Sequence, residues 1–160
     1  MSLIEIEIVI CAPIERVFDL SRSVDAHQDS TRQTGERAVA GVTSGLLDLG
    51  DQVTWQATHL GVRQRLTTRI VELRRPHYFC DSMVSGAFRG FDHEHHFSVL
   101  GSGTLVRDRF NFESPGGPLG KLADALFLKR YMRGFLEARS VVIKEIAESD
   151  GWRMYLRDGH

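Results

Sequence analysis

Cysteine is nearly absent from this chain of 160 residues: there are two, Cys11 and Cys80, both in strand-like apolar surroundings without metal-type spacing. Both are expected to be reduced core thiols rather than a disulfide pair. Net charge is also missing, since 20 Lys and Arg stand against 21 Asp and Glu. That balance exerts no general pull toward nucleic acid or an anionic membrane. No apolar run approaches the ~18–20 residues that span a bilayer. The opening Met1-Ser2-Leu3-Ile4-Glu5-Ile6-Glu7 puts acids where a signal peptide needs an apolar stretch, so the expected location is the cytoplasm. Motifs for several chemistries are lacking too. Gly116-Gly117 lies between prolines without the Lys-Ser/Thr of a P-loop. There is no G-x-S-x-G elbow, and neither cysteine has an evident histidine partner in sequence.

What the chain does have is alternation. Ile4, Ile6, Ile8 and Ile10 point one way and Glu5 and Glu7 the other, which is a strand with one wet face. Pro13 ends it and opens a short helix over residues 14–20, with Ile14, Val17 and Phe18 on its buried side. A second helical turn follows a Ser23 cap. From residue 36 to 113 the punctuation is that of strands: 36–42, 53–59, 62–70, 78–84, 91–99 and 104–112. Gly101-Ser102-Gly103 is a hairpin connection. Short turns between successive strands mean antiparallel pairing. Arg63, Arg65 and Arg69 read as a solvated sheet face, and no aromatic stacking platform supports nucleic acid.

Residues 119–147 are rich in Leu, Ala, Lys, Arg and Glu and predict one long helix. Its apolar stripe changes phase. Leu119, Leu122, Ala123 and Leu126 share one face, whereas Leu128, Met132, Phe135, Val142 and Ile146 lie nearly opposite. A kink near residues 127–131, with Gly134 close by, would let both halves face the core. Residues 150–160 read as a short polar tail that frays, leaving one domain over residues 1–149.

The expected fold is α+β: a curved antiparallel sheet of six or seven strands, two short helices after the first strand, and a long C-terminal helix covering one face. A bent sheet under a helix leaves space, and a ligand would sit there. The order and wording of four stretches resemble the START/SRPBCC superfamily, the helix-grip, polyketide cyclase/dehydrase-like proteins, and within it a small bacterial branch. They are residues 12–20; Gly50-Asp51-Gln52-Val53-Thr54-Trp55 with His59-Leu60-Gly61; Gly86-Ala87-Phe88 leading to His93-Glu94-His95-His96-Phe97; and Gly103-Thr104 through Asp108 to Pro115-Gly116-Gly117-Pro118-Leu119-Gly120. The resemblance implies binding of sterols, lipids, hormones, polyketides or other hydrophobic molecules, and in some members cyclisation or dehydration. No catalytic signature carries over residue by residue.

Candidate site residues follow from the strand faces. Phe91, His93, His95 and Phe97 share one face, as do Val106, Asp108, Phe110 and Phe112, and Phe79, Asp81 and Met83. If these faces point inward, His93, His95, Asp108 and Asp81 gather under the helix. Such buried charges need partners, and an Asp beside a His raises the imidazole pKa and orients the ring. The cluster could be a satisfied polar network, could contact a ligand's polar end, or could move protons with His93, His95 and Asp108 as the catalytic candidates. The H-x-H pair lacks the following Glu of a cupin metal site, since Val99 and Leu100 stand there, so no metal and no cofactor is expected. The expected lining is Trp55, Phe79, Met83, Phe91, His93, His95, Asp108, Phe110, Phe127, Tyr131 and Phe135. Non-catalytic binding of a small hydrophobic molecule ranks first, a cyclase, dehydratase or hydrolase second. Third is an interaction or regulatory module, for instance a homodimer docked through Trp152 and Tyr155.

Overall fold

The computed structural model describes residues 1–116 and 118–157, with the side chains of 119–125 outside that description. The elements follow the alternation read from the sequence. Strand β1 (Ser2–Ile10) leads into helices α1 (Ile14–Ser21) and α2 (Val24–Ser30). Then come β2 (Arg37–Gly41), β3 (Gln52–His59), β4 (Val62–Arg74), β5 (Tyr78–Ser85), β6 (Gly90–Leu100) and β7 (Gly103–Glu113). Helix α3 (Pro118–Glu148) and a short 3-10 turn (Asp150–Met154) finish the chain. The Ser23 side chain accepts from Ala26 N and caps α2.

All seven strands form one antiparallel sheet in the order β1-β7-β6-β5-β4-β3-β2, so the first strand closes against the last. Register shifts at Ala38/Ala40, Thr67/Thr68 and Ile70/Glu72 add the bulges that help a sheet bend. Gly41, at φ +73, packs where a Cβ would lie 2.3 Å from the Gln52 carbonyl oxygen, so the β2–β3 crossing requires glycine there. The core falls into two clusters. One gathers α1, α2 and the C-terminal end around Phe18, Val17, Val53 and Phe97; the other gathers Ile4, Phe91, Phe110, Phe112, Met132 and Leu136.

Three expectations are corrected. Helix α3 is continuous rather than broken near 127–131. Leu126 and Phe127 are 80% and 60% exposed, so the early part of the stripe is left facing out rather than turned inward by a kink. The facing of Leu119, Leu122 and Ala123 lies outside the described residues. The buried stripe of α3 is Met132, Leu136, Arg139, Ile143 and Ala147, all less than a tenth exposed. Counting apolar residues alone misses this line because an arginine occupies its middle. The tail is the second correction. Trp152 and Leu156 are buried in the first cluster, Arg16 lies 4.2 Å over the Trp152 ring, and the Tyr155 hydroxyl donates to Asp29 at 2.5 Å. Both aromatics make contacts within the chain, with Trp152 buried and Tyr155 half-buried. Third, Cys80 is buried as expected, but Cys11 is exposed.

Candidate functional site

A cavity of about 280 Å³ opens between the sheet and α3. Its wall comes from inward positions of β3 (Trp55, Ala57), β6 (Phe91), β7 (Phe110) and α3 (Leu128, Met132, Phe135, Leu136), a mostly apolar surface. Exposed Leu60, Ala87 and Pro115 mark its mouth, at the β3–β4 turn, the β5–β6 loop and the approach to α3.

Two polar clusters interrupt the apolar wall. The first joins α2, the β2 approach, β3 and α3. Glu36, 8% exposed, pairs with His27 Nε2 and lies 3.8 Å from His59 Nε2. His59 Nδ1 hydrogen-bonds the Tyr131 hydroxyl at 2.8 Å. Burial disfavours the Glu36 charge, but His27 and then His59 outweigh it and hold the carboxyl at about 2. Burial, with the Glu36 charge second, raises the Tyr131 phenol above its ordinary value. The His27 ring also packs at a tilt against Trp55, with centroids 4.1 Å apart, which helps hold the indole in the wall.

The second cluster is built by strand register. Asp81 on β5 lies opposite His93 on β6, and His95 lies opposite Asp108 on β7. The His95 ring therefore sits between two carboxylates, Nδ1 at 2.8 Å from Asp108 Oδ1 and Nε2 at 3.0 Å from Asp81 Oδ1. Burial works against a charged His95, but Asp108 and then Asp81 overcome it and raise its pKa. The same pairing lowers both carboxyls against burial, Asp108 to about 2. His93 behaves in the opposite way. Burial, then repulsion from His95, pushes it down to about 3 despite the nearby acids, so its ring is neutral at ordinary pH. Its Nε2 is buried with no hydrogen-bond partner among the described residues and lies 3.9 Å from Asp108 Oδ1. Arg139 approaches this cluster from α3, where it also donates to the Ser21 carbonyl at 3.2 Å.

Trp55, Phe91, His93, Phe110, Tyr131 and Phe135 of the expected lining reach the cavity. Phe79 does not: it stacks on His95 at 4.2 Å and packs edge-on against Phe18 in the first core cluster. His95 and Asp108 lie behind the wall, lining small pockets on its far side. Met83 packs at the edge of the second core cluster rather than in the wall. Phe127 is corrected outright, because its side chain faces away and is 60% exposed. Of the three catalytic candidates only His93 touches the large cavity.

His27, Glu36, His59 and Arg139 escaped the sequence reading. The first three come together only in three dimensions and carry no local pattern. Arg139 did leave a signal, standing seven residues after Met132, in phase with the buried stripe.

No family model matches the sequence, and no curated protein matches it. Solved structures do. The chain is similar to TTHA0849 from Thermus thermophilus, with TM-score 0.74 and 18% identity over 89% of this chain and 94% of that one. A START superfamily protein from Mycobacterium smegmatis aligns with TM-score 0.69 and 13% identity, covering 92% and 98% of the two chains. Ginseng major latex-like protein 151 from Panax ginseng aligns with TM-score 0.63 and 16% identity, covering 92% and 98%. Likeness at this identity establishes the fold, which is the helix grip expected from the sequence motifs.

Proposed function

We propose that this protein binds a small, largely apolar molecule in the cavity between sheet and α3, with one polar end held by the His59–Tyr131 pair or by His93. The observation that carries this reading is the wall itself: Trp55, Phe91, Phe110, Phe135 and Leu136 face a space of about 280 Å³ whose exposed surface is mostly apolar, with the polar groups gathered in the two clusters and near the mouth. That is near the lower end of ordinary small-molecule sites, about 300–1,000 Å³. Open space of this kind costs core packing, which a bound guest restores. The ligand classes implied by the sequence resemblance agree with such a wall. An acid–base enzyme built on His93, His95 and Asp108 is less well supported, because two of the three sit behind the wall.

Thermal unfolding in the presence of fatty acids, sterols and aromatic ketones tests the proposal. A true ligand at a hundred times its Kd stabilises by about 2.7 kcal/mol through mass action and raises Tm accordingly. No shift across the whole set would remove the reading.

A further inference from the structure

We infer that Asp81, His93 and His95 form a binding site for a divalent transition-metal ion at the inner end of the cavity. This goes beyond the apolar-ligand reading and does not depend on it. The sequence predicts no metal because the H-x-H pair lacks the following Glu of a cupin site. The strand register supplies a third ligand, because Asp81 is the residue directly opposite His93 on the neighbouring strand.

Three observations carry the inference. One donor atom from each of Asp81, His93 and His95 lies within 4.8 Å of the other two, close enough to converge on one ion with small side-chain movements. Two imidazoles and one carboxylate are a donor set suited to zinc or ferrous iron. The second observation is the orphaned nitrogen. His93 is 6% exposed, and its buried Nε2 has no hydrogen-bond partner among the described residues. A buried polar atom without a partner is costly, and coordination to an ion would satisfy it. Third, His95 has the support that metal-ligating histidines require. Asp108 Oδ1 lies 2.8 Å from its Nδ1, so that nitrogen carries the proton and donates, leaving Nε2 to face Asp81 and His93. The proton now shared between Nε2 and Asp81 is the one an ion displaces.

Electrostatics permit a cation. Once an ion displaces the His95 proton, Asp81 and Asp108 against the single guanidinium of Arg139 leave an excess of one negative charge among these side chains. Asp81 and His93 both line the large cavity, so the ion's remaining coordination positions would face a guest. A carbonyl, carboxylate or hydroxyl oxygen on that guest is the group they would take.

The test uses tag-free, chelator-stripped protein titrated with zinc chloride by calorimetry and with cobalt(II) by absorption. The expected result is one ion per chain and a visible cobalt spectrum of the intensity given by four- or five-coordinate nitrogen–oxygen sites. Asp81→Asn and His93→Gln should each weaken zinc binding by at least about tenfold. Asp108→Asn, which removes only the support, should weaken it about 10–100-fold. The exposed His77, changed to Ala, should leave the affinity unchanged. Absence of saturable binding by the wild-type chain would overturn the inference, as would binding that survives both Asp81→Asn and His93→Gln. Should a variant fail to fold, the wild-type cobalt spectrum decides: a pale, octahedral, water-like spectrum rejects the site. None of these readouts involves the apolar ligand, so either proposal can fail alone.

Discussion

Glu36 shows how one residue links burial to acid sensitivity. Its folded-state carboxyl lies at about 2 against an ordinary 4.5, so the ionised form is favoured by folding. The sign follows directly: the stabilisation is fully present above pH 4.5 and is lost as pH falls toward 2. We expect Glu36→Gln to abolish this contribution. The stability difference between wild type and variant, measured by urea unfolding, should shrink by up to about 3 kcal/mol between about pH 5 and pH 2. A difference that stays flat over that window would mean that the His27 and His59 pairing contributes nothing. The polar residues on β6 and β7 were legible because a period of two assigns each to a face. The period of two put His93, His95 and Asp108 on the same faces as Phe91, Phe97, Phe110 and Phe112, and left open whether those faces point inward; all three side chains are buried. Glu36, by contrast, precedes a short strand and meets its histidines across 9 and 23 positions of sequence, a distance no local pattern encodes.

At the scale of elements, the strands and their turns were readable almost residue by residue, while the helical end was not. Two physical causes account for this. A stripe that includes Arg139 does not look apolar, and Trp152 with Leu156 are too few and too far apart in a polar stretch to signal burial. Yet the last turn locks α3 to α1: Arg16 covers the Trp152 ring and also donates to the Ala147 carbonyl at 3.2 Å. We expect Trp152→Ala to cost about 3–5 kcal/mol, the range for emptying a buried aromatic site. Equilibrium denaturation measures it, and a loss under about 1 kcal/mol would mean that the tail is an ornament on the fold. A buried ionic knot secures the other side of α1, where Asp19 accepts from Arg22 Nε at 2.8 Å and from Arg75 Nη2 at 2.8 Å. Burial opposes its charge, but Arg75 and Arg22 keep its pKa below the ordinary value.

For the whole molecule, the sequence implied a sheet, a covering helix and a space between them, and it did so without revealing how much of that space stays open. Volume is a small difference between large packed shapes, decided by rotamers that alternation does not specify. Filling it is the direct check on its use. Ala57 is 7% exposed and lines the wall, so Ala57→Phe should put a ring into the space at an overpacking cost of about 1–3 kcal/mol. The variant should fold, as judged by near-ultraviolet circular dichroism, and should lose the Tm shift that any ligand gives the wild type. A retained shift would locate the ligand elsewhere. No helix among the described residues is long and apolar enough to cross a membrane.

The ionic row of Asp81, His95 and Asp108, strung across three neighbouring strands, acts as a bulkhead. On one side the compartment around Phe18 holds only small pockets and anchors the chain's beginning to its end; on the other, the compartment around Phe110 borders the hollow. A molecule partitioned this way can have its guest chamber rebuilt, by selection or by an engineer, while its keel stays untouched.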